Sequence, residues 1–235
     1  MKKNPKEVIL SVNKIFLLIF IFLTGSFIVV EELLSGMILS SVYGNTIFVW
    51  TSIFTITLFG LAAGYFLGAH TSVKTNIEMK LSLYIFIAGL LLLSQAAFSD
   101  NIMIELSRFG AISGSFASSF IIVFPPMVFL STSSPLVVNI IKQNKENAGK
   151  TAGLVYFIST MGGVFAAYLF GLIIIPKLGI VNSIFIISLI TFLLSGVLMM
   201  IQKKYILLSG LTFIYIFLLP LPINHSFIHC QVKPK

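Results

Sequence analysis

Long apolar runs separated by short polar clusters set the pattern of this chain. Runs over positions 14–34, 46–69, 81–98, 109–130, 151–175, 180–201 and 205–221 each approach or exceed helix-spanning length. About 20 apolar residues rising 1.5 Å each cross the roughly 30 Å hydrocarbon layer of a bilayer. The pattern therefore predicts an all-α, polytopic integral membrane protein of about seven transmembrane helices in a transporter-like bundle. Positions 1–222 form a single membrane domain in this reading, and 223–235 form a polar tail. The first run begins after Lys2, Lys3 and Lys6 and continues to Val30 with no small-residue cleavage pattern behind it. It reads as an uncleaved first span.

The region between Arg108 and Ile141 fits this scheme least well. It is too long for one straight crossing, and Pro125-Pro126 interrupts it. Neither proline has an N–H to donate, and each disfavours helix in the residue before it. The expectation is a span ending near the proline pair, then an irregular piece over 131–135 containing Pro135, then an interfacial stretch over 136–141. Non-helical backbone at membrane depth persists only where protein or a wet cavity satisfies it, so this segment is a second place to look for function.

Composition agrees with the pattern. The chain is 57% hydrophobic and 9% charged, contains 23 Phe, and has a mean hydropathy of +1.06. The net charge of +8 does not indicate nucleic acid, because the lysines cluster between apolar runs and no basic stripe is interleaved with aromatics. With the N-terminus inside, 11 of the 15 basic residues fall on the cytoplasmic side, including Lys74, Lys80, Lys142, Lys145 and Lys150. That bias predicts a multi-pass cell-membrane protein with a cytoplasmic N-terminus and the C-terminus outside. Cys230 is the only cysteine, which excludes an internal disulfide.

Candidate chemistry concentrates between Gly25 and His70. Glu31 and Glu32 close the first run, and neighbouring helical residues point about 100° apart. Two readings stand for the pair. Either the helix ends there and both carboxylates reach interfacial water, or one of them is an acidic site for a cation, proton or amine. Tyr43 and Trp50 nearby offer either cation–π walls or an interfacial aromatic belt. Gly60, Gly64 and Gly68 recur every four residues and permit close helix approach, within the chain or across a homo-oligomer seam. Gly162 and Gly163 give the fifth run the same capacity for tight packing.

His70 has no evident metal partner, and His225, His229 and Cys230 could ligate zinc only if the proline-flanked tail were helical. No metal or other cofactor is expected. The chain has no dinucleotide fingerprint, Walker loop, His-Glu-x-x-His or Gly-x-Ser-x-Gly motif, so no catalytic residue is assigned.

Two blocks carry a resemblance. The first is Gly25 to Gly68, with Glu32, Tyr43-Gly44-Asn45, Trp50 and the glycine ladder. The second runs from Phe124-Pro125-Pro126 through Ser134-Pro135-Leu136 and Ala148-Gly149-Lys150-Thr151 to Gly162-Gly163, with Ile175-Pro176-Lys177-Leu178-Gly179 beyond. In order and spacing, over roughly 15–200, these resemble the membrane domain of the spermidine-synthase-like proteins, in which such a domain is commonly fused to a cytoplasmic aminopropyltransferase-like domain. The departures are Met37 and Asn139 where the family commonly has arginine, and Ser41 where it often has proline.

No part of the chain matches the synthase domain, so no enzymatic activity is expected. The resemblance implies a stand-alone membrane domain that binds or transports a small, polyamine-related cation. Glu32 would then be the acidic contact, with Glu31 as helper and Tyr43 and Trp50 as walls. The alternative is a non-catalytic scaffold that recruits a separate soluble synthase-like partner through the basic loops.

Overall fold

A computed structural model describes residues 14–72, 76–142 and 148–202. Among these residues the chain contains helices and short turns and no strand. The predicted span over 205–221, the polar tail and His225, His229 and Cys230 lie outside the described residues.

Helix α1, Lys14–Tyr43, runs nine residues past the predicted end of the first span. Ser41 does not stop it, because its Oγ donates to the Ile38 carbonyl at 2.6 Å within the helix. Gly44 ends the helix instead, with a left-handed φ of 79° and its N–H on the Ser40 carbonyl. Glu31 and Glu32 therefore lie in mid-helix, and the reading of a helix end with both carboxylates in interfacial water is corrected.

Helix α2 is Ile47–Ser72, and α3 is Ile77–Ser107. The latter also outruns its prediction, carrying Ser94, Gln95, Ser99 and Asp100 without a break until Gly110 takes a φ of 84°.

The proline region is more regular than expected. It forms three short helices end to end: α4 Ala111–Ile122, α5 Phe124–Ser131 and α6 Ser133–Ile141. The junction residues Val123 and Thr132 keep right-handed helical dihedrals, so the junctions are small steps and the predicted irregular piece over 131–135 is not found. Pro125 and Pro126 fall in the first turn of α5, where a missing N–H costs no helical bond. Thr132 and Ser133 return their hydroxyls to the Phe129 and Leu130 carbonyls, both at 2.7 Å.

Helix α7, Ala148–Leu169, passes through a π-helical turn at Phe170–Ile174 into α8, Ile175–Ile201. Gly179 interrupts α8 with φ 81° and ψ 172°, inside the break predicted between the fifth and sixth runs.

Five stretches are long and apolar enough to cross a membrane: α1, α2, α3, Phe124–Ile141 and Ala148–Ile201. These fit a multi-pass membrane protein. The outer faces carry large exposed apolar side chains such as Phe66, Phe157 and Leu172, as expected where the solvent is lipid.

The interior is organised around α1, which α7 follows closely, while α8 lies along α3 and α2 seats α4 and α5. Hydroxyls stitch these pairs: Ser26 to the Gly162 carbonyl, Ser188 to that of Gly89, and Ser195 to that of Ser82, at 2.8–2.9 Å. Such interhelical bonds, with small residues at the seams, replace the hydrophobic driving force that lipid removes.

Candidate functional site

The heptad-like run of α1 places Glu31 on its inward face, and the residue is wholly buried. Ser35, one turn later on the same face and equally buried, donates its hydroxyl to Glu31 Oε1 at 3.0 Å. Gln95 reaches in from α3 and donates Nε2 to Ser35 Oγ at 3.2 Å. The second carboxyl oxygen, Glu31 Oε2, has no hydrogen-bond partner, and neither does Gln95 Oε1. Two acceptor oxygens of residues linked through Ser35 are thus buried without a hydrogen-bond partner. Nearly all buried polar atoms are paired, so each exception calls for an explanation.

Gln95 also borders a cavity of about 240 Å³ between α3 and the α4–α5 junction, walled by Ser94, Ser99, Ile122, Pro125 and Pro126. The helix-start prolines therefore shape the wall of a chamber and not an irregular loop. Its volume is below the roughly 300–1,000 Å³ of pockets for drug-sized ligands. Only a small solute, or one end of a long one, fits there.

The other predicted residues are dispersed. Glu32 is half-buried and lies toward Thr57 of α2, on a different side of α1 from the Gln95 cluster. Tyr43 stands 11 and 12 residues beyond the two glutamates, about 16–18 Å along the helix. Its hydroxyl bonds the Met103 carbonyl at 3.1 Å and Ser118 Oγ at 2.8 Å, tying α1 to α3 and α4. Trp50 lays its ring over Gly36, where a Cβ would meet it at 2.7 Å, and donates Nε1 to Asn45 Oδ1. Neither aromatic forms a wall around the carboxyl cluster.

The glycines mark close approaches. Gly60, Gly64 and Gly68 face Met127, Ser131 and Pro135 in turn, so the ladder seats α5 and α6. Pro135 packs its ring on Gly68. Gly162 and Gly163 lie against the Phe22 carbonyl and Val29 of α1, and Gly25 faces Ser159.

Met37 is partly exposed, and Asn139 donates Nδ2 to the Ser72 carbonyl. Lys80 Nζ reaches the neighbouring Thr71 carbonyl at 3.4 Å, so the open carbonyls ending α2 receive one amide and one cation. No group of three His, Cys, Asp or Glu side chains that could hold a metal occurs among the described residues.

Ser35 and Gln95 were not singled out from sequence. A signal was present for Gln95, the lone amide side chain in the apolar run over 81–98. Serines are too frequent in this chain for Ser35 to stand out.

The described residues thus define a helical, membrane-type bundle with a buried carboxyl–hydroxyl–amide cluster beside a small chamber. The chain matches no family model, and comparison with curated proteins and with solved structures gives no match for either.

Proposed function

We propose that this chain binds, and moves across the membrane, a small cationic solute whose acidic contact is Glu31. The observation that carries this reading is the pair of donorless buried oxygens, Glu31 Oε2 and Gln95 Oε1, beside a chamber bordered by Gln95. An ammonium group has several N–H donors and one positive charge, and so answers both oxygens and the carboxylate together. Buried intramembrane acids facing a bundle interior commonly mark ion or substrate pathways. The resemblance to spermidine-synthase-like membrane domains makes a polyamine-related amine the first solute to try.

In this reading the break at Gly179 divides Ala148–Ile201 into two crossings. The described residues then hold six spans, and the run over 205–221 adds a seventh. The lysine distribution orients the N-terminus to the cytoplasm.

Full-length protein in proteoliposomes, tested for binding and uptake of labelled spermidine and methylammonium, decides the matter. A hydrogen bond to a charged group is worth about 1.5–3 kcal/mol, so Glu31→Gln is expected to weaken binding roughly 10- to 150-fold. Unchanged uptake in Glu31→Gln, or no binding by the wild type, refutes the proposal. Co-purification of a soluble synthase with a wild type that binds no amine would favour the scaffold reading.

A further inference from the structure

We infer that Glu31 carries an exchangeable proton, which Oε2 donates to Gln95 Oε1 when no solute is bound, and that arrival of the cation expels this proton into the chamber between α3 and the α4–α5 junction. The expulsion half rests on the cation reading above; the proton itself does not.

The argument is one of donors and acceptors. Within the cluster, the Ser35 hydroxyl is spent on Glu31 Oε1 and one amide hydrogen of Gln95 is spent on Ser35. That leaves the second Gln95 amide hydrogen, which lies toward the Glu31 carboxyl, and two acceptors without a partner, Glu31 Oε2 and Gln95 Oε1. Two acceptors cannot satisfy one another. Adding one proton to Oε2 converts it to a donor and settles both atoms at once, because a carboxylic acid offers one O–H and Gln95 offers the waiting carbonyl. No other single proton placement in the cluster does so: Ser35 already donates, the second Gln95 amide hydrogen could serve Oε2 only and would leave Gln95 Oε1 unpaired, and an amide oxygen is not a base at ordinary pH.

No charge competes for the role. Among the described residues the ion pair is Arg108–Glu105, exposed at the far end of α3. Helices α4, α5 and α6 contain no titratable side chain. On α1 itself, Glu32 turns toward Thr57. Helix α2 contributes Tyr65 and His70, both toward its far end, and α7 contributes Lys150, Tyr156 and Tyr168. Helix α8 contributes Lys177, next to the Gly179 break. On α3 the titratable groups besides Glu105 are Glu78, Lys80, Tyr84 and Asp100, of which Asp100 is the nearest in sequence to Gln95, five residues on. None of these makes a hydrogen bond or ion pair with Glu31, whose partner is Ser35.

The cluster also borders a chamber that could take up the proton. Gln95 belongs both to the cluster and to the chamber wall, and Ser94 and Ser99 add hydroxyls to that wall. In the exchange the Glu31 O–H bond breaks, the proton passes to water in the chamber, and the carboxylate left behind pairs with the incoming ammonium. No electron moves, and charge balances one for one.

Two measurements on the full-length protein test this. Infrared difference spectroscopy across a pH titration, without solute, is expected to show a protonated-carboxyl C=O band. That band vanishes in Glu31→Gln, persists in Glu32→Gln, and shifts in Gln95→Met, which removes the acceptor. Glutamine at 31 is isosteric and offers an N–H where the acid offers O–H, so this variant keeps the fold. A band absent from the wild type, or still present in Glu31→Gln and unmoved by Gln95→Met, overturns the proton.

The second measurement is methylammonium binding in weakly buffered solution at several pH values. One proton released per cation bound, with affinity tightening about tenfold per pH unit, supports exchange. Binding that is independent of pH overturns it. If methylammonium and spermidine do not bind at all, the cation reading fails with the exchange half, while the infrared result still judges the proton.

Discussion

A glycine of the α2 ladder, Gly64, and one outside it, Gly153 on α7, make predictions of opposite sign. At Gly64 an added methyl would fall on the Ser131 hydroxyl and the Val128 backbone carbonyl of α5, with Ser131 Cβ at 3.1 Å. The hydroxyl can rotate away, but the carbonyl belongs to helix backbone, so α5 itself must retreat. The rungs above and below resist that retreat: a methyl-sized gap is already absent at Gly60, where a Cβ would lie 2.8 Å from Met127 Cβ, and at Gly68, 2.9 Å from the Thr132 carbonyl. Overpacking of this kind costs about 1–3 kcal/mol, against a gain of about 1 kcal/mol in helix propensity for Ala over Gly. Gly64→Ala is therefore destabilising by up to about 2 kcal/mol.

Gly153 on α7 is exposed and has nothing within 4 Å of an added Cβ, so there only the propensity gain remains. Thermal unfolding of the two variants in mild detergent should show midpoints roughly 5–10 °C apart, with wild type between them. Equal shifts of the same sign refute the reasoning. An unchanged midpoint for Gly64→Ala with loss of a dimer in sedimentation would instead make the ladder a seam between copies.

Tyr43→Phe loses two buried bonds, to the Met103 carbonyl and to Ser118, and should cost about 1–3 kcal/mol in the same unfolding assay while leaving amine binding unchanged. Pro126→Ala should shift stability by less than about 1 kcal/mol, because a proline in the first helical turn breaks no bond; a larger loss would mean the residue does more than open α5. Asn139→Ala and Lys80→Met each uncover a carbonyl ending α2, at a cost of about 1 kcal/mol apiece, and the double variant tests whether the losses add. Trp50, the single tryptophan, gives an emission maximum that reports its own packing on Gly36; Gly36→Ala should move it.

The helices were legible because their signal is length and hydropathy: the first and third runs each lie within a helix of the fold, and the second begins one residue before its helix. Their ends were not legible, for a common reason. Ser35, Ser41 and Ser94 look like loop residues in a sequence, yet in an apolar setting a serine hydroxyl finds a side-chain acceptor one turn back, as Ser35 does, or a backbone carbonyl, as Ser41 and Ser94 do, and the helix continues. What stops these helices is a left-handed glycine, at Gly44 and Gly110, and nothing local distinguishes those from the packing glycines at 60, 64 and 68. The proline pair misled in the same direction. A proline inside a helix breaks it and a proline in the first turn starts one, and the two differ by a placement that only Val123 and its neighbours decide.

The glutamate pair shows why the site was half visible. Adjacent acids in an apolar run are a strong signal of a functional position, but adjacency also guarantees that only one can face a given neighbour, and choosing between them requires knowing where α3 lies. The resemblance favoured Glu32. In the fold it is Glu31 that is wholly buried and linked through Ser35 to Gln95, 60 residues further along the chain than Ser35. A partner at that separation leaves no periodic trace in the sequence. It follows that Met37, which is partly exposed, bears little on the buried acid, and that the cluster has to answer its own unpaired oxygens. A proton or an ammonium group can do so, and a titration that follows Glu31 with and without amine separates the two.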